Sequence, residues 1–278
     1  MTAPRNAWGH PSAFRLPPLS SSPILVSRDG AIATVTLNNP SRLNALNRAM
    51  WARLGEVMGE LSADDALRCV VLRGAGDKAF AAGADIAEFA RERADSKQAK
   101  PYGNLIHETM QSVARCRHPT VAMIRGACVG GGLEIAAMCD LRVCGQSSRF
   151  GIPVNKLGLT MAYGELAGLL ALVGRAVALE ILLEGRVFEA DEAYRKGLVN
   201  RVVPDEKVEA EAYATARRIA DGAPLVNRWH KQYLERLAVR ADIPPAEWDE
   251  GFACFDTADY REGVDAFLNK RKPDFKGR

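Results

Sequence analysis

The fold of this chain is decided by the segments Ala79-Phe-Ala-Ala-Gly-Ala-Asp-Ile86 and Gly126-Ala-Cys-Val-Gly-Gly-Gly-Leu-Glu134. Each is apolar, contains glycine and follows a run of residues typical of a strand. Because glycine has no Cβ, such segments let a ligand approach the bare backbone. As a pair they predict two backbone N–H groups aimed at one carbonyl oxygen, with Glu134 beside them as an acid or base. That arrangement stabilises an enolate or a tetrahedral oxyanion.

The second segment is predicted to connect a strand to a helix. Thr120 to Ile124 has the composition of a buried strand, and the helix is expected to begin near Leu133, which places Glu134 in its first turn. Free N–H groups and the helix dipole favour negative charge at such a terminus. The alternative interpretation is that the glycines only let the helix pack closely on a sheet. A phosphate-binding loop is not indicated, because no Gly-Lys-Ser/Thr follows.

The first segment is open to two interpretations as well. Its small residues from Phe80 to Ala84 could hold a flat ligand against the backbone, or form an ordinary turn before a helical stretch that begins at Asp85. Farther along, the charged stretch from Glu88 to Lys100 is either a flap near a site or a solvated connection.

Strand-like and helical stretches alternate over most of the chain, which favours an α/β domain. The predicted strands are Ala31–Leu37, Cys69–Leu72, Thr120–Ile124 and Asp140–Cys144. The predicted helices are Leu46–Leu61, Tyr102–Cys116, Glu209–Ala220, Asn227–Ala238 and Pro245–Phe267. We therefore predict an α/β core over residues 23–205, a helical C-terminal module over 206–278, and a flexible, proline-bearing leader over 1–22.

Composition narrows the functional class. The 278 residues are 47% hydrophobic, which is enough for a sizeable core, and the net charge of +3 gives no reason to expect nucleic acid or a membrane surface. The chain has no uninterrupted apolar run of about 18 residues, so no membrane span is predicted. Six scattered cysteines without a Cys-x-x-Cys pair predict reduced core residues of a cytoplasmic protein, and four distant histidines imply no metal site.

The two glycine-bearing segments, at this spacing, resemble the enoyl-CoA hydratase/isomerase family, or crotonase superfamily. The resemblance covers roughly Ile24 to Phe275. Further matching motifs are Asn39–Asn47, Cys139–Val143, Phe150-Gly-Ile-Pro153, Leu157-Gly-Leu159, Ala193–Val199 and Arg261–Arg271. The resemblance implies a crotonase-like α/β fold, a spiral of ββα units with a helical C-terminal module. It also implies an acyl-CoA substrate, a homotrimer or homohexamer, and no cofactor other than the coenzyme A of the substrate.

The resemblance also assigns roles to individual positions. The oxyanion hole would be formed by the backbone N–H groups of Ala84 and Gly131, with Glu134 as the catalytic acid or base. The positions that would bind coenzyme A are Arg42, Ala82, Ala84, Asp85, Ile86, Phe267 and Lys270, the last two often reaching it from a neighbouring subunit.

One departure from the family pattern affects the expected reaction. A second catalytic carboxylate should follow Pro153, but this chain has Val154, which can neither accept nor donate a proton. Tyr163 or Glu165 is a candidate substitute acid, or else packs and caps a helix. We expect an enzyme of enoyl-CoA hydratase/isomerase type. The alternatives are isomerisation, decarboxylation or thioester hydrolysis with one carboxylate, or binding of acyl-CoA without turnover.

Overall fold

A computed structural model describes residues 22–240 and 242–278, so nearly all of the predicted leader lies outside the described residues. The described residues form ten strands and ten α-helices, joined in places by short 3-10 helices. The strands are β1 Ile24–Asp29, β2 Ile32–Leu37, β3 Cys69–Gly74, β4 Ala79–Ala81, β5 Thr120–Ile124, β6 Ala127–Val129, β7 Leu141–Gly145, β8 Arg149–Gly151, β9 Phe188–Glu189 and β10 Arg201–Val203. The helices are α1 Arg48–Ala63, α2 Phe89–Glu92, α3 Ser96–Ala114, α4 Gly131–Met138, α5 Tyr163–Glu184, α6 Ala190–Arg195, α7 Val208–Ala220, α8 Pro224–Val239, α9 Pro245–Glu250 and α10 Ala258–Leu268.

The larger sheet has the strand order β1-β2-β3-β5-β7-β10. Its β1–β2 pair is antiparallel and the remaining pairs are parallel. Parallel strands covered on both faces are expected to be continuously apolar, and every residue of β5 is buried. All four strands predicted from the sequence lie in this sheet, and the α/β class is confirmed.

The smaller sheet, in the order β4-β6-β8-β9, contains both glycine-bearing segments. The first segment is not an ordinary turn alone, because it begins with the short strand β4, and the second contains the short strand β6 before its glycines. β4, β6 and β8 run parallel, with Ala79 opposite Ala127 and Cys128 opposite Phe150. Since parallel strands end at the same edge of a sheet, the residues that follow these three strands lie together.

The helical C-terminal part is joined to the core by packing. Along α7, Val208, Ala212 and Ala216 are fully buried against the larger sheet. Residue 205 therefore marks a change of secondary structure but not an edge of the hydrophobic core. The predicted single helix from Pro245 to Phe267 is wrong: α9 ends at Glu250, and α10 begins after the N-cap Thr257, whose hydroxyl accepts a hydrogen bond from Tyr260 N at 3.0 Å.

Helix α5 is unusually apolar and poorly covered by the single chain. Within the described residues it is the one helix with the length and composition of a membrane span, with a mean hydropathy of 2.1. The sequence alone predicted no segment of this length and composition, because only uninterrupted apolar residues were counted. Gly174 has a φ of 71° and breaks the helix near its middle. Each half is about 16 Å long, against about 30 Å for a hydrocarbon core, so α5 is not one continuous span.

His118 predicts a loss of stability in acid. Its side chain is completely buried, and neither ring nitrogen has a hydrogen-bond partner among the described residues. Burial, followed by the charges of Arg228 and Arg117, lowers its pKa to about 4. The unfolded chain binds this proton near pH 6.5, so stability falls as the pH drops from about 6.5 toward 4. We expect His118→Phe to remove on the order of 2 kcal/mol of this pH dependence in urea titrations. If the free energy of unfolding of His118→Phe changed with pH as steeply as that of the wild type, the prediction would be wrong. His230→Gln, at an exposed histidine, is the control.

Candidate active site

A cavity of about 150 Å³ lies at the edge where β4, β6 and β8 end. Its wall is built from the residues that follow these strands, together with residues of α1, α2 and α5. The lining residues central to the chemistry are Ala84, Gly131, Glu134, Val154, Glu165 and Arg93. The parallel sheet therefore brings together side chains and backbone groups that are far apart in the sequence.

Ala84 and Gly131 line the same cavity. Gly83 has a φ of 105°, and a Cβ built on it would lie 3.3 Å from Val129 O and 3.9 Å from Gly131 N. Gly83 thus lets the two turns approach at van der Waals distance. Among the described residues, no acceptor receives a hydrogen bond from Ala84 N–H or Gly131 N–H. Both groups are free to donate to a ligand oxygen.

The position of Ala84 is fixed by the chain preceding α1. Leu46 N donates to Gly83 O and Asp85 N donates to Leu46 O, both at 2.8 Å. Ala82 N also donates to Leu43 O at 3.0 Å. These bonds hold the turn from both sides of Ala84, so its N–H direction is set before any ligand arrives. Such preorganised donors are the basis of oxyanion stabilisation.

Glu134 lies in the first turn of α4, as predicted. It is 8% exposed, and no described residue donates a hydrogen bond to its carboxyl group. Burial raises its pKa to about 8, with a further increase from the charge of Glu165 and a partial decrease from Arg93. At neutral pH the Glu134 carboxyl is therefore mainly protonated and can act as an acid.

Glu165 reaches the cavity from the first turn of α5. Its carboxylate accepts a hydrogen bond from Ala162 N at 2.7 Å, which closes a capping interaction at the start of the helix. Burial raises the pKa of Glu165, while the bond from Ala162 and the charges of Arg93 and His107 lower it in part. The other predicted substitute, Tyr163, is 93% exposed and does not line the cavity.

The residues predicted to bind coenzyme A fall in two places. Arg42 forms an ion pair with Asp85 at 2.7 Å, and the next residue, Ile86, has an exposed side chain and lines the cavity, whereas Arg42 and Asp85 do not line it. Phe267 belongs to α10 and lines a separate apolar groove, and Lys270 follows the end of that helix. Within one chain, the structure does not bring Phe267 to the cavity that contains Glu134.

Comparison with known proteins gives a consistent answer. The family model for enoyl-CoA hydratase/isomerase matches residues 27–278. This chain belongs to the enoyl-CoA hydratase/isomerase family. It is 35% identical over 259 residues to a short-chain-enoyl-CoA hydratase of Clostridium acetobutylicum, covering 92% of this chain and 98% of the relative. It is 32% identical to a 2,3-dehydroadipyl-CoA hydratase of Escherichia coli, covering 92% and 100%.

A solved structure supports the same assignment. The crystal structure of an enoyl-CoA hydratase/carnithine racemase from Magnetospirillum magneticum superposes with a TM-score of 0.91 at 52% identity, covering 92% of this chain and 96% of that chain. The crotonase-like fold is therefore established, and the protein is an enzyme of the hydratase/isomerase family.

Sequence reasoning missed two residues at the cavity of this family member. Arg93 belongs to the charged stretch from Glu88 to Lys100, for which a flap near a site and a solvated connection were both left open. Phe89 and Arg93 line the cavity, so part of that stretch lies at the site. Trp51 belongs to the buried face of α1, where helical periodicity indicates only a core residue. No local pattern distinguishes either residue, because their proximity to Glu134 arises from tertiary packing.

Proposed function

We propose that this enzyme hydrates short 2-enoyl-CoA thioesters with a carboxyl pair formed by Glu134 and Glu165. The observation that carries the proposal is that Glu165 lines the same cavity as Glu134, while Val154, at the expected position of the second acid, lines that cavity too. Two neighbouring carboxyl groups share one proton, because their negative charges would repel each other if both were ionised. Glu134, which accepts no hydrogen bond from the described residues, would hold the proton, and Glu165, whose carboxylate accepts a hydrogen bond from Ala162 N–H, would carry the negative charge.

The proposed reaction balances with these groups. The oxygen of a water molecule bonds to C3 of the enoyl group while its proton passes to the Glu165 carboxylate. The electron pair of the C2=C3 bond moves toward the thioester oxygen, where Ala84 N–H and Gly131 N–H stabilise the enolate. Glu134 then gives its proton to C2, and proton exchange between the two carboxyl groups restores the starting state.

The size of the cavity supports a short acyl group. Its volume is about 150 Å³. Aliphatic lining residues such as Leu159 and Met161 suit an acyl chain. We therefore take crotonyl-CoA as the test substrate.

Glu165→Gln tests the proposal directly. The amide oxygen of glutamine can still accept the hydrogen bond from Ala162, so the variant removes the charge but keeps the cap. We expect kcat/KM for crotonyl-CoA hydration to fall by about 10²- to 10⁴-fold, since a positioned acid or base contributes that much. The loss of ultraviolet absorbance of the conjugated thioester measures the rate.

Two further variants make the Glu165 result decisive. Tyr163→Phe removes the other predicted substitute acid and is expected to change kcat/KM by no more than about twofold, because Tyr163 lies in solvent. Glu108→Gln, an exposed glutamate on α3, controls for the loss of one negative charge. A fully active Glu165→Gln enzyme would refute the two-carboxyl reaction and favour the chemistries that need one carboxylate.

The oligomeric state and the cellular compartment are also proposals. We propose a homotrimer or homohexamer, in which exposed apolar side chains of α5 and α10 are covered by other copies. Leu183 and Phe267 are among the most exposed of these side chains, and such surfaces mark interaction sites. Another copy would also be the source of Phe267 and Lys270 at the coenzyme A site. We further propose a cytoplasmic enzyme that takes coenzyme A only with its substrate; the six free cysteines support this setting.

A further inference from the structure

Arg93 is held at the cavity in an unusual way. Its guanidinium carbon lies 4.7 Å from the centre of the Phe89 ring and 4.6 Å from the centre of the Tyr102 ring. Contacts of this kind are attractive and hold the side chain in place. Among the described residues, none accepts a hydrogen bond or forms an ion pair within 4.0 Å of Arg93. The N–H groups of a positioned cation therefore remain available at the cavity.

Two more donors without partners lie beside Arg93. The Tyr102 hydroxyl and Trp51 Nε1 are both buried, and neither has a hydrogen-bond partner in the part of the chain that the structure describes. Trp51 lines the same cavity as Arg93, and the Tyr102 ring, which packs against the Arg93 guanidinium, lies just behind the cavity wall. Leaving buried donors unpaired costs free energy, so such a group of donors suits a ligand that supplies acceptors.

We propose that Arg93, with Tyr102 and Trp51 beside it, binds a carboxylate at the far end of the acyl group. The substrate class would then be the coenzyme A monothioesters of short, unsaturated dicarboxylic acids. A carboxylate is planar, offers two acceptor oxygens and matches the fork of a guanidinium, which a terminal methyl group does not. This inference rests on the proposed function, because it concerns the acyl end of the same cavity.

A matched pair of substrates tests the inference. Glutaconyl-CoA carries a carboxylate where 5-methylhex-2-enoyl-CoA carries an uncharged isopropyl group of similar size. We expect wild-type kcat/KM to favour glutaconyl-CoA, and Arg93→Met to reduce this preference by about 10- to 100-fold, the usual range for a hydrogen bond to a charged group. Arg91→Met changes a solvent-exposed arginine two residues away and is expected to leave the preference unchanged.

Binding measurements separate this inference from the proposed reaction. Competition between glutaryl-CoA and 5-methylhexanoyl-CoA compares the same two end groups without any turnover. A wild-type preference for glutaryl-CoA that Arg93→Met removes and Arg93→Lys partly keeps supports the carboxylate site, even if hydration is not observed. Equal losses with both end groups would overturn it and assign Arg93 only to the charge balance of Glu134 and Glu165. Absence of wild-type hydration of both crotonyl-CoA and glutaconyl-CoA would instead count against the proposed function.

Discussion

Glu134→Gln is expected to inactivate the enzyme while making the fold more stable. Removing a positioned acid should lower kcat/KM for crotonyl-CoA by about 10²- to 10⁴-fold. The physical reason is that Glu134 lies at the cavity with no hydrogen-bond donor among the described residues, where its proton is available to the substrate. In the wild type the rate should fall as the pH rises through about 8, because Glu134 then loses that proton.

The stability effect follows from the raised pKa of the same group. In the unfolded chain Glu134 ionises near pH 4.5, but in the folded protein it ionises only near pH 8. The unfolded state therefore binds fewer protons between these values, so Glu134 lowers the stability of the wild type increasingly as the pH rises through this window. At pH 8 the neutral amide of Glu134→Gln should be more stable by on the order of 3 kcal/mol.

Opposite changes in activity and stability distinguish a catalytic acid from a structural one. Denaturant unfolding at pH 5 and pH 8 measures the stability difference, and Glu108→Gln, at an exposed position, should show neither effect. If Glu134→Gln were destabilised at both pH values, its lost activity would reflect damage to the fold. The assignment of Glu134 as the proton donor would then be rejected.

Gly132→Ala is expected to disable the oxyanion site through the backbone. A Cβ on Gly132 would lie 2.2 Å from Ala81 O and 2.9 Å from Ala81 C, and these backbone atoms belong to β4 and cannot rotate away. The first turn of α4 must therefore move away from β4, carrying Gly131 N–H with it. Loss of one oxyanion donor lowers kcat by about 10²- to 10³-fold. Overpacking of this kind also costs about 1–3 kcal/mol of stability.

Two other glycines make this prediction specific. A Cβ on Gly131 itself would meet Trp51 Cζ2 at 3.1 Å and Leu46 Cδ1 at 3.4 Å, which are side-chain atoms that can shift. Gly131→Ala is therefore expected to lose less activity than Gly132→Ala. A Cβ on Gly59, on α1, would meet nothing within 4 Å, so Gly59→Ala is the control. Rates are compared at equal folded fraction by circular dichroism, and full activity of folded Gly132→Ala would refute the role of the Gly131 N–H group.

Local patterns predicted the elements on which the candidate site is built. The continuous apolar run of β5 correctly predicted a buried strand, and the glycines before Glu134 correctly predicted the start of a helix. Both predictions succeed because strand burial and helix initiation depend on neighbouring residues. The short strands β4 and β6 were not predicted, since they are stabilised by pairing with each other rather than by their own composition. The break between α9 and α10 was also missed. Gly251 ends the first helix and Thr257 caps the second, but the residues on either side continue a helical pattern that hides the interruption.

The sequence by itself determined the α/β class, the family, the glycine-bearing turns and the place of Glu134 in the first turn of a helix. Only the tertiary structure decided that Glu165, rather than Tyr163, lines the cavity with Glu134, and that Arg93 lies there too. The physical reason is that periodicity and turn chemistry act between near neighbours along the chain. Which side chains meet across a cavity depends instead on the packing of α5 and the segment after α2 against the ends of parallel strands.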